Sequence, residues 1–130
     1  MALEEAVTEL ARGKNFGALT TLLADGTPMT HIMWVDCDAE HVLVNTEVHR
    51  TKYRNIKRDP RATVTVWDDE SPYRYAEVRG RVVDEVTGDE ALAHIHALSR
   101  KYEGADYDES NIASERVILK IEPERQVVRD

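Results

Sequence analysis

The sequence predicts a mainly β fold with short helices (α+β), closing into a small, fully or partly closed antiparallel barrel. Three observations predict it. Residues 61–67, RATVTVW, and 75–82, YAEVRGRV, alternate apolar and polar positions with the period of a strand. Two runs rich in β-branched and aromatic residues, FGALTTLL and PMTHIMWVDC, flank ADGTP, whose Asp25-Gly26 pair is a hairpin signal because a tight turn needs positive φ. The helical stretches are short and fall between groups of strands, which suits a barrel with appended helices better than a two-sheet sandwich.

The elements follow in order. LEEAVTELARG reads as an amphipathic helix with Leu3, Ala6, Val7 and Leu10 on one face, ended by Gly13. The two runs around Asp25-Gly26 form a hairpin, and turn-like Asp38 and Ala39 lead into a third strand, HVLVNT. A helical pattern then runs to Asp59-Pro60, where proline forbids continuation. In 61–67, Ala62, Val64 and Val66 share one face. In the returning strand Ala76, Val78, Gly80 and Val82 do, while Tyr75, Glu77, Arg79 and Arg81 face the other way. Residues 88–102 are helical, with Ala91, Ile95, Leu98 and Tyr102 in a stripe. After a loop around EGADYDES, the chain closes with two strands, ERVILKIEP and RQVVR.

A length of 130 residues predicts one domain spanning 1–130, able to form a core but with little chain left to enclose a deep pocket. No apolar run approaches a membrane span or a signal peptide, so the expectation is a cytoplasmic protein without a membrane partner. The lone Cys37 reads as a small packed residue that suits a reducing compartment.

Charge is distributed unevenly. Between Arg50 and Arg61 six cations stand against one acid, Asp59, a local balance of +5 in a chain of net charge -8. Lys57, Arg58 and Arg61 fall at the end of the helix or beyond, where positive charge complements the helix dipole. Arg50 and Lys52 do not. With Thr51 as the N-cap, both crowd the amino end of the helix, where the dipole and the free N–H groups favour an anion. Two cations there make sense if a phosphate neutralises them. The preceding strand ends in two hydrogen-bonding side chains, Asn45 and Thr46, beside the same spot.

Nucleic acid is excluded as a partner class, because it needs a broad basic surface and the rest of this chain is acidic. Neither GxxxxGK[ST] nor GxGxxG occurs. His94 and His96, two apart on a helix, cannot share one metal ion, and His31, His41 and His49 follow no ligand spacing. The serines fall in turns and helix ends without a hydrolase motif.

Several stretches match a known pattern: VLVNTEVHRTKYRNIKRDPRATVTVWD, SPYRYAEVRGRV, KYEGADY and ERVILKIEP. Together, from about Phe16 to Val128, they resemble the flavin/deazaflavin oxidoreductase superfamily, which shares the split β-barrel of pyridoxamine 5′-phosphate oxidase, an FMN-binding fold. More narrowly they are similar to its small branch of F420-dependent enzymes. The resemblance implies a homodimer with two cofactor sites at the subunit interface. It implies coenzyme F420 as cofactor, with FMN as the alternative, and hydride transfer to a small organic acceptor. A non-catalytic F420 binding or storage role is the other reading.

By residue, the resemblance implies that Arg50 and Lys52 grip the cofactor phosphate and that Asn45 and Thr46 contact the phosphate or the ribityl-like chain. Asn55, one turn beyond Lys52, braces the site. The strand carrying His31, Met33 and Trp34 runs beside the tricyclic ring. SPYRY from the partner subunit borders ring or substrate and nominates Tyr73. Trp34 and Tyr73 read equally well as barrel or interface core. Arg54 and Arg74 are further sources of charge for an anionic tail. No catalytic acid or base is nominated.

Overall fold

The computed structural model describes residues 1–130. The chain runs α1 (Glu5–Arg12), β1 (Phe16–Leu22), β2 (Pro28–Trp34), β3 (Asp36–Cys37), β4 (Val42–Glu47), α2 (Thr51–Arg58), β5 (Arg61–Trp67), β6 (Tyr75–Val86), α3 (Gly88–Glu103) and β7 (Arg116–Arg129), with one 3-10 turn at Glu109–Asn111. All strands belong to one antiparallel sheet in the order β2-β1-β5-β6-β7-β4-β3. The sheet curls into a half-barrel, as the alternation of 61–67 and 75–82 predicts. Ala62, Val64, Val66, Ala76 and Val78 all point into the core.

That core joins both halves of the sheet. Leu19, Val42, Val44, Val64, Val78, Val117, Leu119 and Ile121 form one cluster, sealed by Val7 and Leu10 of α1 and Ile56 of α2. Burying each such side chain contributes about 1.5–3 kcal/mol. A smaller cluster of Ile95, Leu98 and Tyr102 lies under α3 and packs against Trp34 and Tyr107. No helix is long and apolar enough to cross a membrane.

Two strand boundaries differ from the sequence reading. PMTHIMWVDC is not one strand, because it breaks at Val35, where the chain leaves β1 for the far edge of the sheet beside β4. The Val35 peptide is satisfied from α3 instead of from a ladder. Its N–H donates to the Tyr102 hydroxyl (3.1 Å) and its carbonyl accepts from Lys101 Nζ (2.6 Å). Conversely, ERVILKIEP and RQVVR are one strand, β7. Pro123 has no N–H to donate, but it sits opposite Gly80 at a register shift that absorbs the irregularity. Gly80 allows the close approach there, since a Cβ would lie 1.9 Å from the Glu122 carbonyl oxygen. The hairpin at Asp25-Gly26 forms as predicted, with Gly26 at φ +87°.

Candidate anion and ring site

The curl brings β2 near β4 and leaves a cavity of about 410 Å³ between them, roofed by α3. Phe16, Ile32, Met33, Trp34, Ile95 and Leu98 supply its apolar side, while Asn45, Thr46, Arg50, Lys52 and Arg116 supply its polar end. A second hollow of about 350 Å³ adjoins it, lined by His31, Ile32, Arg50, Thr51 and Lys52.

The polar end grows out of one short stretch of chain. Asn45, Thr46 and Glu47 close β4 as three consecutive buried polar residues, which happens because β4 is covered on both faces. Glu47 then turns the chain, its carbonyl accepting from the Arg50 N–H at 3.0 Å. Arg50, not Thr51, occupies the N-cap, with extended φ and ψ of −73° and 149° and no side-chain cap bond. Thr51 is the first helical residue. It is exposed, and its hydroxyl accepts from Arg54 Nη2 at 3.4 Å. The expectation of Thr51 as the cap is therefore wrong by one position. The turn after β4 is tight enough to bring Arg50 to the helix boundary. The N–H groups of Thr51 and Lys52 consequently have no carbonyl partner, and the first turn holds no acid.

Lys52 is the unusual residue. It is 7% exposed, yet its ammonium makes no hydrogen bond or ion pair. Every fully buried side-chain nitrogen or oxygen in the chain does have a partner, so the part of Lys52 left uncovered is the ammonium, facing the cavity. Burial, and then the charges of Arg50 and Arg116, hold its pKa below the ordinary lysine range. His31 is pushed below the usual histidine range by burial and then by the charges of Lys52 and Arg50.

The single acid here is already engaged. Glu47 Oε1 accepts from the N–H groups of Ala113 (2.6 Å) and Ser114 (2.7 Å). Its Oε2 accepts from Arg116 Nη1 at 3.3 Å and Arg50 Nη2 at 3.4 Å. Burial alone would raise the Glu47 carboxyl, but the two N–H groups and then the two arginines outweigh it and hold it below the usual range. Three cations against one carboxylate leave about two positive charges without a partner, on Lys52 and the half-exposed Arg50 at the mouth of the cavity.

Of the residues expected from the sequence, Trp34, Asn45, Thr46, Arg50 and Lys52 meet in the cavity, and His31 and Thr51 line the adjoining hollow. Asn55 does not reach either. It is buried under α2 and donates to the Thr21 hydroxyl at 3.0 Å, so it ties the helix to β1. Trp34 both lines the cavity and stacks on Tyr102, with centroids 5.3 Å apart. Tyr73 is 89% exposed in the β5–β6 turn and lines no part of the cavity, so it is not a barrel core residue. Arg54 faces outward at the helix start, and Arg74 is engaged by Asp68 (3.3 Å) and Glu9 (3.0 Å).

Sequence reasoning missed Arg116, Glu47 and the α3 side of the site. A signal existed for Arg116. The run Val117-Ile118-Leu119 is apolar on both faces, so the strand must be covered on both sides and a charge at its head must be paired. Tyr107 was also missed. Its ring lies edge-on to Trp34 and 5.5 Å from the Arg116 guanidinium, between the two ends of the cavity.

Known structures share this arrangement of elements. One described as an F420 reductase superposes with a TM-score of 0.83 at 34% identity, over 96% of this chain and 98% of that one. A conserved hypothetical protein from Mycobacterium tuberculosis has a TM-score of 0.78 at 23% identity, over 98% and 85%. The heme storage protein from Vibrio cholerae shares the fold, with a TM-score of 0.69 at 18% identity over 99% and 96%. Residues 3–127, nearly the whole chain, match the pyridoxamine 5′-phosphate oxidase family model, and the protein belongs to that family.

Proposed function

We propose that this protein is an F420-dependent oxidoreductase whose cavity binds the deazaflavin ring and whose cationic end holds the phosphate. The observation that carries this reading is the unpartnered ammonium of Lys52, the uncovered end of an otherwise buried side chain, between Arg50 and Arg116. An apo-protein retains such a charge only at a cost, which a bound anion relieves. The apolar walls suit a flat ring, and the likeness to an F420 reductase at 34% identity supports the choice of cofactor.

Reduced F420, when bound, supplies a hydride to an activated C=C, a quinone or a similar small acceptor. The chain's own part is to anchor and shield. Arg50, Lys52 and Arg116 hold the anion, Asn45 and Thr46 border it, and Trp34, Met33, Ile95 and Leu98 keep water from the ring. Phe16 and the 63% exposed Ile32 leave apolar surface at the rim. A second copy of the chain covers it in the homodimer we propose, with Tyr73 of the partner subunit near the ring.

FMN is the second reading, since it also ends in a phosphate. The adjoining hollow favours F420. It shares Arg50 and Lys52 with the cavity, so the anion site opens onward toward His31 and Thr51, where the lactyl-glutamyl tail has room. Fluorescence titration of the protein with each cofactor tests the choice, followed by oxidation of reduced F420 with a panel of acceptors. Tighter binding of F420 and turnover are expected. Purification as a yellow FMN complex that does not bind F420 would overturn the reading, and binding without turnover would make the protein a store.

A further inference from the structure

Arg116 reaches the cavity from β7, and its guanidinium is held by two residues of β4, Glu47 and Asn45, the second of which is bonded in turn to α3. The Asn45 side chain sits between three partners. Its Oδ1 accepts from Arg116 Nε at 2.8 Å. Its Nδ2 donates to the Ala91 carbonyl at 3.0 Å and to His94 Nδ1 at 3.1 Å. An arginine Nε is only a donor and a peptide oxygen only an acceptor, so these two partners settle which end of the amide is oxygen and which is nitrogen. The second N–H of Nδ2 then needs an acceptor, and His94 Nδ1 can be one only without a proton. The ring proton therefore sits on Nε2, which donates to Asp36 Oδ2 at 3.1 Å. Each donor in the series has one possible direction: Arg116 to Asn45, Asn45 to His94, His94 to Asp36.

The series is buried where it matters. Asn45 and Arg116 are both buried, and the His94 ring is 11% exposed. Around Asn45 water has little room to stand in for a partner, and a missing link there leaves a dry donor unsatisfied. With the Ala91 carbonyl, His94 is also one of two points at which α3, the roof of the cavity, grips β4 through Asn45.

We propose that His94 is a positioning residue: by accepting from Asn45 it locks the amide that holds the Arg116 guanidinium toward the anion end of the cavity. The proposal rests on the reading of that end as an anion site. It adds a requirement, a single histidine tautomer, that the reading alone does not contain.

The ligand-free protein allows the first test. Long-range proton–nitrogen NMR of the His94 ring is expected to show a bare Nδ1 and a protonated Nε2, and the opposite tautomer would overturn the proposal. The Arg116 Nε–H gives the second. Its solvent exchange is expected to speed up about tenfold in His94→Leu, the size of one lost hydrogen bond, and to recover in His94→Gln, whose side-chain oxygen can accept. Unchanged exchange in His94→Leu would overturn it. The third test is affinity for F420 and for FMN. His94→Leu should weaken binding about fivefold or more in the wild-type background and not at all beside Arg116→Met, as coupled residues require. Additive losses in that cycle would mean a merely structural role and overturn the proposal. If neither cofactor binds the wild type while both NMR results come out as expected, the cofactor reading fails and the hold of His94 on Arg116 stands.

Discussion

Glu47 and Arg116 face each other across the β4–β7 ladder and meet at 3.3 Å, with the carboxylate fully buried. Because Glu47 Oε1 is taken by two backbone N–H groups, only Oε2 remains for Arg116 and Arg50, and none reaches Lys52. This division of one carboxylate sets the excess of positive charge at the cavity end.

Glu47→Gln should destabilise the protein by about 1.5–3 kcal/mol, the range for hydrogen bonds to a charged group, read from urea unfolding. The pH dependence has a definite sign. The folded carboxyl lies below its ordinary value of 4.5, so the unfolded chain binds more protons between the two values. The stabilisation is complete above pH 4.5 and is lost as pH falls through the folded value. Glu47→Gln should lose that part of the acid dependence, and an acid limb identical to wild type would contradict it.

Lys52→Met should move stability and affinity in opposite directions. Removing an unpaired charge that is partly desolvated and repelled by Arg50 and Arg116 should raise the unfolding midpoint of the ligand-free protein. The same change should weaken cofactor binding at least tenfold, because a charged hydrogen bond of about 1.5–3 kcal/mol is lost. The Lys52 pKa is lowered below 10.5, so the unfolded state binds more protons in the interval beneath that value. Ligand-free stability should therefore contain a component that rises with pH through that interval, present in wild type, absent in Lys52→Met and suppressed by bound cofactor. Chemical denaturation across alkaline pH, with and without cofactor, measures all three.

Asn55→Ala separates bracing from binding. It removes the bond to the buried Thr21 hydroxyl and should cost about 1–3 kcal/mol of stability. The affinity loss should be well below that of Lys52→Ala. Equal losses in a titration would put Asn55 in direct contact with the ligand.

Gly80→Ala tests the β6–β7 irregularity. The added methyl would meet the Glu122 carbonyl at 1.9 Å, a backbone atom that cannot move alone. A loss of about 1–3 kcal/mol or more is expected, as for overpacked interiors, read as a lower melting temperature. An unshifted melt would show that the register there is loose.

The fold was legible where one face is buried and the other is not. β5 and β6 alternate, and the hairpin carries its own turn chemistry, so local sequence sufficed. Val35 and Pro123 were misread because their backbone partners are far away, Tyr102 and Lys101 on α3 for one and Gly80 for the other. The cationic end of the cavity was legible because Arg50 and Lys52 violate a local rule about helix dipoles. Arg116 heads a doubly apolar strand, which says only that it must be paired, and His94 carries no such mark; the partners of both lie dozens of residues away. Thr51 was named as the cap on residue preference, which turn geometry overrode.

The cavity draws its wall from β1, β2, β4, α2, α3 and β7, from Phe16 to Arg116. No fragment short of nearly the whole chain can assemble it, so occupancy and complete folding are one equilibrium. Cofactor at about a hundred times its dissociation constant would add about 2.7 kcal/mol against global opening. The amount of the protein that survives proteolysis in a cell would then follow the supply of its cofactor.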